Sequence, residues 1–152
     1  MSLRASIDRD YLESVKAKDA FRVGVLRMLK NNLKNTAIAK RLPEDQLMEE
    51  DMIAVVRQEV KKRKESIAAF TAGNRADLAD QEKLELTVLE KYLPASMDAA
   101  TINQIIQEVM SENNLQPPHN FGKVMGMVVK KVAGRADGDT VKKAVTAFLA
   151  AS

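Results

Sequence analysis

The sequence predicts an all-α protein of two small helical domains, and three observations carry that prediction. Apolar residues recur every three or four positions along the whole chain, the signature of helices that each bury one face. No stretch combines strict alternation, β-branched enrichment and turn dipeptides in the way a strand does. The segment PASMD at 94–98 places a proline stop ahead of a fresh N-cap, Asp98, and so divides the chain into an N-terminal four-helix part, 1–94, and a C-terminal three-helix bundle, 98–152.

The elements follow in order. Leu3, Ile7, Tyr11 and Val15 step by four along a first helix. After the N-cap Asp19, a second helix carries Phe21, Val25, Met28 or Leu29, and Leu33, with almost no loop between the two. Pro43 and the acidic residues up to Asp51 open a third and longest helix. Its stripe is Met48, Met52, Val56, Val60, Arg63, Ile67 and Phe70, closed by Gly73. A fourth runs from about Asp77 to Leu93 with Leu78, Leu86, Leu89 and Leu93 on one side and Leu84, Val88 and Tyr92 beside them, until Pro94 stops it. Beyond the boundary, Ile102, Ile105, Ile106, Val109 and Met110 make one helix before Pro117 and Pro118 break the chain. Val124, Met125, Val128, Val129 and Val132 make the next, stopped at Gly134. Val141, Val145, Phe148 and Leu149 make the last, with Asp137 as its cap.

Composition bounds the function. The 152 residues are 45% apolar, enough for a core, and that core is aliphatic, since there are four Phe, two Tyr, no Trp and eight Met. A net charge of +3 does not by itself imply nucleic acid, but its distribution is uneven. Between 119 and 152 stand six basic side chains, Lys123, Lys130, Lys131, Arg135, Lys142 and Lys143, against Asp137 and Asp139. Between 94 and 118 stand only the acids Asp98, Glu108 and Glu112. The absence of cysteine removes disulfides, thiolate metal sites and a thiol nucleophile, and suits a reducing cytoplasm. The N-terminus lacks a secretory apolar run, and no run approaches the roughly 20 residues of a membrane span. A cytoplasmic protein with no membrane partner is expected.

The most informative stretch is Phe121 to Asp139. Gly122 and Gly126 lie four apart on an apolar helix, where each costs about 1 kcal/mol against alanine. Something must approach that backbone closely, either a second helix of the bundle or a ligand, with Gly134 completing the set of close-approach positions. Lys123, Lys130, Lys131, Arg135, Lys142 and Lys143 surround them, and lysines beside free backbone amides suit phosphate. The plainer account of the turn at 134–139 is a C-cap followed by an N-cap, but it leaves the concentration of cations unexplained. A second basic face is offered by Arg57, Lys61 and Lys64 on the long helix, where the plain account is a solvated surface. Arg63 points instead toward the apolar stripe, snorkelling outward, and Glu59 pairs with it at i,i+4 for roughly 0.2 to 0.5 kcal/mol.

RMLKNNLKN near the start, RQEVKKRKESIAAF in the long helix, EKYLP at the end of the fourth, and FGKVMG followed by GRADGD together resemble the YqeY proteins of the GatB/YqeY group. The last third is similar to the tail domain of the B subunit of tRNA-dependent amidotransferases, through Gly122, Val124 and Met125 and then Gly134, Arg135 and Ala136. This resemblance implies an all-helical two-domain protein, and a role near tRNA and carbon-nitrogen ligase chemistry with glutamine as amido-N-donor. In that family the tail helps to grip the tRNA body and houses neither chemical step. Amidotransferase or aminoacyl-tRNA synthetase components are the protein partners implied.

The residues themselves give no support to catalysis. Amide release from glutamine needs an activated nucleophile, and the serines all stand in helical or capping contexts. The phosphate loop GxxxxGK[ST] is absent, and His119 has no second ligand or base beside it. No catalytic residue, metal site or cofactor is expected. The leading expectation is a tRNA-associated adaptor that holds backbone phosphates without reading bases, because Phe121 is the sole aromatic near the patch. The alternatives are a protein-protein interaction module with an apolar groove on the third and fourth helices, and a glutamine-dependent enzyme in its own right.

Overall fold

The computed structural model describes residues 2–94, 97–115, 120–132 and 135–151, and their regular structure is all helical, with no strand among them. The all-α expectation is met. The chain forms two compact units, Met1–Leu93 and Pro94–Ser152.

The N-terminal unit holds α1 (Leu3–Lys16), α2 (Ala20–Ala39), α3 (Glu49–Ala72) and α4 (Ala76–Glu90). Short polar side chains start the first two. Ser2 accepts a hydrogen bond from the amide of Ala5, and Asp19 from that of Arg22 at 3.1 Å, each satisfying one of the amides a helix start leaves over. Pro43 does not open α3 itself. It caps a single 3₁₀ turn, Glu44–Gln46, and α3 begins at Glu49 with three acids, Glu49, Glu50 and Asp51, facing the positive end of its dipole. The end of α3 also differs from expectation: Gly73 keeps φ at −85°, and the left-handed position falls to Asn74 at 57°, a residue that tolerates it. Lys18 and Arg41 occupy the same left-handed region after α1 and α2.

Ile7, Val25, Leu26, Leu29, Leu33, Leu47, Met52, Val56, Val60 and Leu89 fill the core, each contributing about 1.5 to 3 kcal/mol of apolar burial. Val15 and Met48, expected on apolar stripes, are 47% and 60% exposed. Helices α3 and α4 pack directly against each other, with Arg63 between them.

The C-terminal unit packs α5 (Ala99–Glu112), α6 (Phe121–Val132) and α7 (Gly138–Ala151) pairwise around Ile102, Ile105, Ile106, Val109, Val124, Val128, Val132, Val141 and Val145. Asp98 caps α5 through the amide of Thr101 at 2.8 Å, and Asn120 caps α6 through that of Lys123 at 3.1 Å. Among the described residues no helix is long and apolar enough to cross a membrane.

Candidate nucleic-acid interface

Helix α6 is buried along Val124, Val128 and Val132, at i, i+4 and i+8, with Met125 and Met127 flanking that stripe, and the opposite side turns outward. Gly122, Lys123, Gly126, Val129 and Lys130 make up its exposed side. The glycines therefore meet no crossing helix. A Cβ at Gly126 would have no atom within 4 Å, and one at Gly122 would meet only the Asn120 side-chain oxygen at 3.5 Å. The packing account of these two residues fails for the unit itself, and what they leave is open backbone beside two lysines. Gly134, like Pro117, Pro118 and His119, lies outside the described residues.

The six cations divide by what they touch. Lys131 is only partly exposed and bridges α6 to α5 through Glu112 at 2.9 Å and Glu108 at 3.2 Å. The hydrogen bond to Glu112, reinforced by Glu108, raises its ammonium above the ordinary lysine value. Arg135 turns back on α6: its Nε donates to the carbonyl of Val132 at 3.1 Å and its Nη2 to that of Lys131 at 3.3 Å, closing two of the acceptors a helix end leaves over. Both residues are engaged within the unit. Lys123 and Lys130 on α6, and Lys142 and Lys143 on α7, are exposed and form no ion pair among the described residues.

On α3, Lys61 and Lys64 are exposed, while Arg57 is half-buried. Arg63 does not snorkel outward. Its side chain is 11% exposed, held by Glu59 at 2.8 Å and by Glu85 at 3.3 Å across the α3–α4 contact. The physical reason is that three carboxylates, Glu59, Glu82 and Glu85, converge on it and replace the water it gives up.

One polar cluster went unread in the sequence. Asp10 is 1% exposed, yet its carboxylate is fully engaged. Oδ2 accepts from the Tyr92 hydroxyl at 2.7 Å and from Lys91 at 3.0 Å, and Oδ1 from Arg9 at 3.1 Å, while Ser14 donates to the Asp10 carbonyl at 2.7 Å. Burial pushes the Asp10 carboxyl up. The hydrogen bonds from Tyr92, Lys91 and Arg9 outweigh it and hold the group at about 2. The same burial, with Asp10 as its acceptor, drives the Tyr92 phenol well above its ordinary value. The cluster ties the residues just after α4 to the middle of α1. No group of three or more metal-binding side chains occurs among the described residues.

Fold and surface together define a helical protein whose C-terminal unit has an aliphatic core and, on its outer side, lysines with no ion pair among the described residues. Residues 4–149 match the family described as Yqey-like protein, and the chain belongs to that family. It is similar to Altered inheritance of mitochondria protein 41, mitochondrial, of Candida glabrata, 30% identical over 129 residues that cover 78% of this chain and 69% of that one. The protein of the same name from Kluyveromyces lactis is 30% identical over 128 residues, covering 79% and 68%. An uncharacterized protein of Schizosaccharomyces pombe is 29% identical over 93 residues, covering 61% and 73%.

Proposed function

We propose that this chain is a tRNA-associated helical adaptor, related to the glutamine-dependent tRNA amidotransferases, whose C-terminal unit holds RNA through its backbone phosphates. The observation that carries this reading is the division among the C-terminal cations. Lys131 takes both nearby glutamates, and Lys123, Lys130, Lys142 and Lys143 are exposed with no ion pair among the described residues. Exposed lysines beside the open backbone of Gly122 and Gly126 supply charge and close approach, which suit phosphate and carry no base readout. Phe121 is 38% exposed, and the other aromatic described in this unit, Phe148, packs against its core, so stacking on unpaired bases contributes little.

Binding of total tRNA, followed by electrophoretic mobility shift at two salt concentrations, tests the reading. Lys123→Ala with Lys130→Ala should weaken binding and lower the slope of log affinity against log salt by roughly 0.7 to 0.9 per lost contact. Lys131→Ala should leave the slope nearly unchanged, because that lysine is already paired. A tRNA band unmoved by wild-type protein at low salt would refute the reading. Weight would then pass to the interaction-module reading, with its apolar groove on the third and fourth helices as the surface to probe.

Amide-transfer chemistry, under the same proposal, belongs to partner subunits. Purified chain should release no ammonia from glutamine above buffer, and release abolished by a single substitution in this chain would overturn that. A cytoplasmic site of action is proposed from the absence of cysteine, although the two yeast relatives carry mitochondrial in their names.

A further inference from the structure

Helix α2 carries a surface that the C-terminal reading does not use. Gly24, Arg27, Asn31, Lys34, Asn35 and Ile38 recur at helical spacing, all are exposed, and together they form the side opposite buried Val25, Leu26, Leu29, Leu33 and Ala37. This 20-residue helix contains no aspartate or glutamate. An ordinary solvated helix face interleaves both signs, as α4 does with Asp80, Lys83 and Glu90.

The side chains on this face are also uncommitted. Lys30 is drawn off the face into an ion pair with Asp8 and lies 5.2 Å above the Tyr11 ring. Arg27 makes one long contact, 3.5 Å to the Tyr11 hydroxyl, and Lys34, Asn31 and Asn35 have no side-chain partner among the described residues. At Gly24 an added Cβ would meet nothing within 4 Å, so a partner can reach the backbone there.

We infer that this face of α2 is a second surface for RNA backbone, in the N-terminal unit, with Arg27 and Lys34 meeting phosphates and Asn31 and Asn35 bonding phosphate or sugar oxygens. Arginine, lysine and asparagine are the side chains that make such contacts. A membrane surface would need large apolar residues along the same face, and Ile38 stands there alone at one end. The choice of RNA as the polyanion rests on the function proposed above; the surface itself is independent of the C-terminal patch.

Total tRNA and the full chain provide the test. Arg27→Gln with Lys34→Gln should weaken binding several-fold and lower the salt slope by about 1.4 to 1.8, the sum of two phosphate contacts, without moving the melting temperature. Asn31→Asp with Asn35→Asp keeps both cations, offers them acidic partners and should abolish the α2 contribution. Lys16→Gln with Lys18→Gln removes the same charge from exposed positions elsewhere in the unit and serves as the control. An equal loss in that control means net charge alone and overturns the inference. Unchanged binding by Arg27→Gln/Lys34→Gln, with loss in Lys123→Ala/Lys130→Ala, overturns the α2 surface and leaves the C-terminal one standing. The reverse pattern supports α2 and removes the C-terminal patch. Wild-type protein that binds no tRNA overturns both.

Discussion

In the N-terminal unit Asp10, Ser14 and Glu59 are buried among the apolar side chains, whereas every buried residue described in the C-terminal unit is isoleucine or valine. The first unit pairs its charges, some at the surface between elements, as Arg4 to Glu44, Lys30 to Asp8 and Lys40 to Asp51, and some buried, as Asp10 with Lys91 and Arg63 with Glu59 and Glu85. The second keeps most of its cations outside. A charge moved out of water needs a partner of opposite sign to offset the lost hydration, and once it has one it is no longer available to a ligand. Buried charge therefore marks architecture here, and exposed charge without a partner keeps its hydration and stays available to a ligand, as the proposed RNA contact requires.

The largest expected effect comes from breaking the inward network. Arg63→Ala leaves Glu59, 4% exposed, with exposed Lys62 at 3.3 Å as its cation among the described residues. Removing one member of such a buried pair costs about 3 to 5 kcal/mol, which chemical denaturation of the N-terminal transition would report. Replacing both partners, Glu59→Leu with Arg63→Met, should recover most of that loss, since two apolar side chains leave no stranded charge. A single Arg63→Ala variant within 1 kcal/mol of wild type would mean that water reaches Glu59 after all, and the contrast between the units would weaken.

Acid sharpens the same contrast. The Asp10 carboxyl is held at about 2 against an ordinary 3.8. A carboxyl depressed in the folded state stabilises it fully above the unfolded value and loses that stabilisation as pH falls through the folded value. Asp10 should thus contribute about 2 to 3 kcal/mol at neutral pH that disappears between about pH 4 and pH 2. Asp10→Asn should lower stability at pH 7 and flatten the acid limb of the N-terminal transition. An acid limb of unchanged steepness in the variant would show that other carboxylates set it. Tyr92→Phe removes the 2.7 Å donor and should produce a smaller loss in the same direction.

How far the sequence revealed this molecule depended on how periodicity was followed. Capping residues and apolar spacing placed all seven helices, because Asp19, Asp98 and Asp137 act locally and the core is aliphatic. The buried carboxylate cluster escaped because α1 was traced by steps of four. Each such step drifts about 40° around a helix with 3.6 residues per turn, so the trace from Leu3 and Ile7 walks off the buried face to Val15. The true face returns at Asp10 and Ser14, both about 1% exposed. Polar residues there read as solvent positions until Tyr92, 82 positions away, supplies the partner. The basic patch was legible as composition, but not the commitment of Lys131 and Arg135 within the unit, which depends on Glu108, Glu112 and the end of α6 being close in space. Gly122 and Gly126 looked like a helix crossing because close packing is the commonest use of paired glycines, and only the fold shows their side open.

The smallest effect is the most discriminating for the ligand surface. Gly126 in the C-terminal unit and Gly24 in the N-terminal unit both lie inside helices, exposed, with no atom within 4 Å of where a Cβ would be. Alanine at either position removes a backbone freedom the helix does not need, and should stabilise its own unit by about 0.5 to 1 kcal/mol. Stability alone would then favour alanine at both, and the proposed close approach of phosphate to the backbone gives the glycines a use that substitution can test. If phosphate approaches the backbone of α6, Gly126→Ala should raise the melting temperature of the C-terminal unit while weakening tRNA binding, the opposite signs excluding simple unfolding. Gly24→Ala applies the same reasoning to α2. A fall in stability at Gly126 would mean that something in the folded chain fills that space, and a rise with unchanged binding would confine the RNA contact to the lysine side chains.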